Sequence, residues 1–308
     1  MILRRPHQSG YLRDFLNLII EQIGDRMSEK IARNWLLSQN KFQDDCLKEK
    51  RKLGRTHTIS IASGKGGVGK TSIAIKMSKI LSDRGYKVLL VDCDYNLSNT
   101  SIKLGIPLNN NFAKLVHQEI SFEDCLYKQG HFHLLPGCSG NMDIFSGNIQ
   151  LEKFLIDLLL EKEDHYDFIF LDCPAGLSKD ILTLNAYSDY RFVILNPDKS
   201  SLTDAYSLMK ILKNNFGIRE NHILLNMVSS FTQYKRIVQV LSDTTKNFLD
   251  LKLHVLGWVF RETKDTDNFD GLLNDKCSGI HKNLSKILTK FTESNIEEGR
   301  FKEEYLRP

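Results

Sequence analysis

The chain has 308 residues, 41% apolar and 26% charged, with 42 basic against 38 acidic side chains for a net charge of +4. That composition is globular rather than disordered, and its charge balance neither demands nor excludes a nucleic acid or an anionic surface. No stretch reaches the ~18 consecutive apolar residues of a membrane span. The six cysteines form no Cys-x-x-Cys pair, which argues against a zinc site or disulfide framework and suits a reducing cytosol.

In chain order, residues 1–56 read as a helical extension, with an apolar stripe of Leu12, Phe15, Leu16 and Ile19 and a basic run at 48–52. Strand-like runs then alternate with amphipathic stretches. Strands are expected at Thr58–Ala62, Lys87–Asp92, Phe132–Leu135, Asp167–Asp172, Arg191–Asn196, His222–Asn226 and His254–Val259. Helices are expected at Lys70–Asp83, Gln150–Glu161, Lys179–Ala186, Leu202–Lys213, Tyr234–Phe248 and Ile280–Phe291. Shorter helices fit Asn111–Gln118 and Ser121–Tyr127, the latter opening on a capping-box form with Asp124 in the Glu position.

Strands crossed over by helices imply an α/β fold: a doubly wound, mostly parallel sheet with helices on both faces and its ligand at the carboxyl ends of the strands. The chain thus divides into a helical extension (1–56), an α/β domain (57–292) and a polar tail (293–308).

Between the first strand and the first helix stands GKGGVGKT at 64–71, which satisfies G-x-x-x-x-G-K-[ST] in the strand–loop–helix setting that the motif needs. Glycines let main-chain amides converge on phosphate oxygens where a side chain would intrude, and the helix aims its positive end at the same anion. Gly64, Lys65, Gly66, Gly67, Val68, Gly69, Lys70, Thr71 and Ser72 therefore form the candidate nucleotide site. Lys70 is placed to reach the β- and γ-phosphates and Thr71 to give its hydroxyl to magnesium. Asp92 and Asp94, two apart at a strand end, repel each other unless a cation or a bend relieves them. Asp172 closes an apolar strand in the Walker B manner, a carboxylate for magnesium.

The loop, with its additional Lys65, resembles the deviant phosphate loop of the MinD/ParA ATPases, P-loop NTPases of the SIMIBI type. The likeness runs from about residue 57 to residue 292. It implies ATP and Mg2+ as ligands and an ATP-dependent homodimer in which Lys65 touches the partner's phosphates. It implies a magnesium-linked Asp92, a water-orienting Asp94, a γ-phosphate-sensing turn at Pro174–Gly176 and an adenine-reading Asn226. ATP hydrolysis by Lys65, Lys70 and Asp94, with Thr71, Asp92 and Asp172 about the metal, follows from the same likeness.

HQSGYLRDF at 7–15 resembles the activating element of FlhG, the MinD-like regulators of flagellar number and placement, with Gln8, Leu12 and Arg13 matching in spacing. This implies an FlhF-type GTPase as partner of the N-terminal helix, and the Thr203–Tyr206 helix opening is also FlhG-like. His7, Ser9, Asn96, Ser101 and Phe260 depart from the family pattern, and residues 14–56 find no counterpart.

The expected function is a slow ATP-hydrolysing switch controlling flagella. The alternatives are a ParA-like DNA-partitioning or a MinD-like division-site ATPase. Nucleic acid is the less favoured partner, since a basic run such as Lys48–Arg55 is usually a solvated face. A cytoplasmic location is expected. Peripheral membrane contact stays open, because Ile280–Phe291 has an apolar face that could lie on lipid, although its position matches the family's last core helix.

Overall fold

The computed structural model describes residues 56–95, 99–137, 150–262 and 275–297. Eight strands form one sheet in the order β3-β4-β2-β5-β1-β6-β7-β8. They are β1 (His57–Ala62), β2 (Val88–Asp92), β3 (Tyr127–Gln129), β4 (Phe132–Leu135), β5 (Phe168–Asp172), β6 (Tyr190–Leu195), β7 (Glu220–Val228) and β8 (Lys252–Phe260). Every pairing is parallel except that of β3 with β4.

The helices are α1 (Lys70–Asp83), α2 (Asn99–Leu104), α3 (Asn111–Val116), α4 (Phe122–Cys125), α5 (Leu151–Lys162), α6 (Lys179–Tyr187), α7 (Lys199–Phe216), α8 (Phe231–Leu249) and α9 (Gly279–Thr292). One face of the sheet packs against α1 and α9, including Ile73, Met77, Leu284 and Phe291. The other packs against α3 to α6 near β2 and against α7 and α8 near β7. Covered on both faces, β2 and β5 are buried along their whole length, and their sequences VLLVD and FIFLD are accordingly continuous apolar runs rather than alternating ones.

The chain leaves β1 toward β2 and β4, returns through β5, and crosses to β6 on the other side, so the loop after β1 emerges at the switch point of the winding. All seven expected strands form. The short β3 was not among the expected strands, and its first residue, Tyr127, was expected to end a helix. That helix stops at Cys125, because Leu126 is already extended (φ −75°, ψ 135°) and a tight turn through Gly130 (φ 60°) folds β3 back on β4. The Ser121 hydroxyl caps α4 as expected, accepting from the Asp124 N–H at 3.2 Å, while also donating to the Asp124 carboxylate at 2.6 Å.

Helix α2 has no counterpart among the expected elements. Helix α9 is tied to α1 by Arg84, which donates to the Ser285 carbonyl and to the Ser285 and Thr289 hydroxyls. Its apolar residues Leu284, Ile287, Leu288 and Phe291 are buried against the sheet, so the face considered for lipid contact is spent on the core. Among the described residues no helix is long and apolar enough to cross a membrane.

Candidate functional site: a phosphate cavity at the strand tips

A cavity of about 390 Å³ opens at the carboxyl ends of β1, β2 and β5. Gly66, Gly67, Gly69, Lys70, Thr71 and Ser72 form its floor, Asp92, Asp94, Asn99 and Lys103 one wall, and Asp172 to Ala175 another. Three main-chain hydrogen bonds lace the tips together: Cys93 N–H to the Asp172 carbonyl (3.1 Å), Cys173 N–H to Ile61 (3.2 Å) and Gly176 N–H to Ser63 (3.2 Å). Asp92 and Asp172 are register partners on adjacent strands, so two carboxylates from distant parts of the sequence stand side by side.

The glycines of the loop meet two different demands. A Cβ on Gly64 would lie 2.5 Å from the Asp204 carbonyl oxygen of α7, a contact that backbone cannot relieve. Gly69 has φ +93°, and a Cβ there would meet the Asn226 amide nitrogen at 2.5 Å. Asn226 holds the loop from below, donating its Nδ2–H to the Val68 carbonyl at 2.8 Å. Its position under the loop is thereby explained by loop shape alone, beside the adenine contact expected of it.

Lys70 is buried, and its ammonium donates to the Ser63 hydroxyl at 2.8 Å. Burial pulls its pKa below the usual lysine value, against the opposite pull of Asp172, Cys173 and Asp94. Burial, and after it the charge of Asp92, pushes the Asp172 carboxyl up to about 7, opposed by a hydrogen bond from Thr71 and by Lys70. Its Oδ1 is a buried oxygen with no hydrogen-bond partner among the described residues. An acidic oxygen without a donor, beside Asp92 and the Thr71 hydroxyl, is a donor set suited to a hard divalent cation such as Mg2+. Asp92 accepts from the Asp94 N–H at 3.0 Å and from the Thr100 N–H at 3.3 Å, which ties α2 to the tip of β2.

Lys65 does not line the cavity. It turns along its own chain to the start of α7, where it donates to the Ser200 hydroxyl (2.6 Å) and pairs with Asp198 (3.2 Å). Repulsion between Lys65 and Lys70 is thus relieved within the single chain, where the sequence alone suggested only phosphate for that task. Gln8, Leu12 and Arg13 lie outside the described residues, as do Asn96 and all but the first five residues of the expected tail. Sequence reading did not single out Ser63, Asn99, Lys103, Asp198 or Ser200. Asn99 and Lys103 share a face only because α2 forms, and a six-residue helix is too short to be read from an apolar period.

A family model described as an AAA domain, AAA_31, matches residues 56–225. Among curated proteins, the chain is 26% identical over 211 residues to the antiactivator FleN of Pseudomonas aeruginosa, spanning 67% of this chain and 75% of that one. It is 31% identical over 212 residues to the flagellum site-determining protein YlxH of Helicobacter pylori, spanning 66% and 69%. Among solved structures, the septum site-determining protein MinD of Pyrococcus horikoshii, complexed with Mg-ADP, superposes with a TM-score of 0.63 at 24% identity over 79% of this chain and 98% of that one.

Proposed function

Because the chain belongs to the AAA_31 family of AAA domains, among its MinD/ParA-type ATPases, we propose that it is a cytoplasmic ATP-driven switch that sets the number or placement of flagella. In this reading it binds ATP with Mg2+, dimerises in that state and hydrolyses the nucleotide slowly. The observation that carries the nucleotide half is the cavity itself: a glycine-rich floor with buried Lys70, faced by the carboxylates of two adjacent strand tips. The observation that supports the flagellar half is the likeness over two thirds of the chain to proteins named for flagellar antiactivation and flagellum siting.

Each residue then has a task that its surroundings allow. Loop amides from Gly66 to Ser72 receive phosphate oxygens, and Lys70, released from Ser63, neutralises them. Thr71, Asp92 and Asp172 hold the magnesium ion, whose chemistry is to polarise the phosphoryl group and offset its charge. Asp94, on the rim beside Asp92, orients the attacking water. Lys65 leaves Asp198 and Ser200 to bridge to a second copy's phosphates. Through Gln8, Leu12 and Arg13 the N-terminal helix stimulates an FlhF-type GTPase.

Replacing the chromosomal gene by a Lys70→Ala version in the source organism tests the whole proposal. Flagellar number or position should change as it does when the gene is deleted. The fold likeness to MinD favours a second reading, positioning of the division site. Normal flagella with misplaced septa in the same strain would replace the first reading by the second.

A further inference from the structure

We propose that Lys103 contacts the terminal phosphate of the bound nucleoside triphosphate and is the residue by which this chain favours the triphosphate over the diphosphate. The inference rests on the nucleotide reading of the cavity and extends it to a residue that the motifs of the loop and strands do not contain.

Two observations carry it. The first is position. Lys103 lies on α2, one helical turn after Asn99, and both residues line the cavity on the wall that also carries Asp94. That wall is fixed to the tip of β2, because the Thr100 N–H donates to the Asp92 carboxylate at 3.3 Å. It therefore shares the side on which Asp94, in the reading above, meets the water that attacks the terminal phosphate.

The second is charge. The cavity is lined by three carboxylates, Asp92, Asp94 and Asp172, against two ammonium groups, Lys70 and Lys103. Lys70 lies down in the loop against Ser63, and Lys65 is turned out of the cavity to Asp198 and Ser200. A magnesium-bound triphosphate brings a further net negative charge into this acidic space, one unit more than the diphosphate. Among the described residues that line the cavity, Lys103 is the ammonium on the wall that carries Asp94, where that extra charge falls.

Calorimetric titration of the full chain with Mg-ADP and with the non-hydrolysable Mg-AMPPNP, comparing wild type, Lys103→Ala and Lys103→Arg, tests this. A lost hydrogen-bonded contact to a charged group predicts AMPPNP binding about tenfold weaker in Lys103→Ala, with ADP binding within about twofold of wild type. Lys103→Arg, which keeps the charge, should recover most of the loss. Lys103→Gln, which keeps most of the stem, serves the same comparison if the alanine variant fails to fold. Equal weakening for both nucleotides, or no weakening in a variant that melts like wild type, overturns the role of Lys103 while leaving the nucleotide site standing. A wild-type chain that takes up neither nucleotide overturns the reading of the cavity, and Lys103 falls with it.

Discussion

Ionisable groups are buried at both ends of the sheet, under opposite terms. At the carboxyl tips of β2 and β5, Asp92 and Asp172 stand in register, and a buried oxygen of Asp172 has no donor among the described residues. At the opposite end, near the starts of β6, β7 and β8, His222 sits in an aromatic box. Tyr190 and Phe192 lie at 5.6 Å, Phe291 at 5.7 Å, and His254 is stacked on it at 4.6 Å. Burial, and then the neighbouring His254 and Arg191, pull the His222 pKa down to about 3, so the ring is neutral and packs as a small aromatic.

The first end keeps charge where charge is costly, and the second disposes of it. Unrelieved charge beside a glycine-rich floor marks a site completed by a ligand, whereas a neutralised histidine among rings marks a structural core.

The widest separation between the two ends is expected in activity. Asp94→Ala should slow ATP hydrolysis about a thousandfold, within the range for losing a group that positions a proton-transferring water, while Mg-ATP affinity stays close to wild type. Phosphate release under single-turnover conditions, paired with calorimetric binding, checks it. Turnover at the wild-type rate would remove Asp94 from the chemistry and leave the acidic wall with a purely electrostatic task.

The two ends also differ in how much of them could be read from residues. The loop announces itself, because Gly64, Gly69, Lys70 and Thr71 sit at fixed offsets between a strand and a helix. Asp172 does likewise, because an apolar run ending in a carboxylate has few other uses. What could not be read is whatever depends on residues far apart in sequence meeting in space. The turn of Lys65 toward Asp198 and Ser200 spans more than 130 positions. The six-residue α2 has too few turns for an apolar period, so Lys103 had no frame to place it on the cavity wall. The three-residue β3 is exposed throughout and carries no alternation to distinguish it from the end of a helix. His222 gave no sign of its box, since Tyr190, Phe192 and Phe291 reach it from other elements.

Acid should act on the histidine end. His222 binds a proton with a pKa near 6.5 when unfolded and about 3 when folded, so between those values the unfolded chain holds more protons. The sign follows: its contribution to stability is fully present above pH ~6.5 and is lost progressively as pH falls toward ~3. Between pH 7 and pH 5 that amounts to about 2 kcal/mol. His222→Phe, suited to the surrounding rings, should remove that part of the pH dependence in denaturant melts at the two pH values. Parallel curves for variant and wild type would mean that another group governs acid sensitivity and would dissolve the contrast on this side.

Asp172 should give an effect of the opposite sign. Its folded pKa of about 7 lies above the unfolded value of ~3.9, so between these values the folded chain holds the extra proton. Stability is therefore lost as pH rises through this window, the reverse of His222. In the absence of nucleotide and magnesium, Asp172→Asn should stabilise the chain at pH 8, because it removes a buried charge that faces Asp92 and has one oxygen without a donor. The gain should shrink by about 2–3 kcal/mol between pH 8 and pH 5, where folded wild type holds Asp172 neutral. Adding Mg-ATP should invert the order, stabilising the wild type by mass action and the variant far less. Thermal melts at the two pH values, with and without Mg-ATP, read all of this in one series. An Asn variant less stable than wild type at pH 8 without ligand would show that the Asp172 charge is already satisfied in the protein alone, and the two ends of the sheet would then bury their ionisable groups on the same terms.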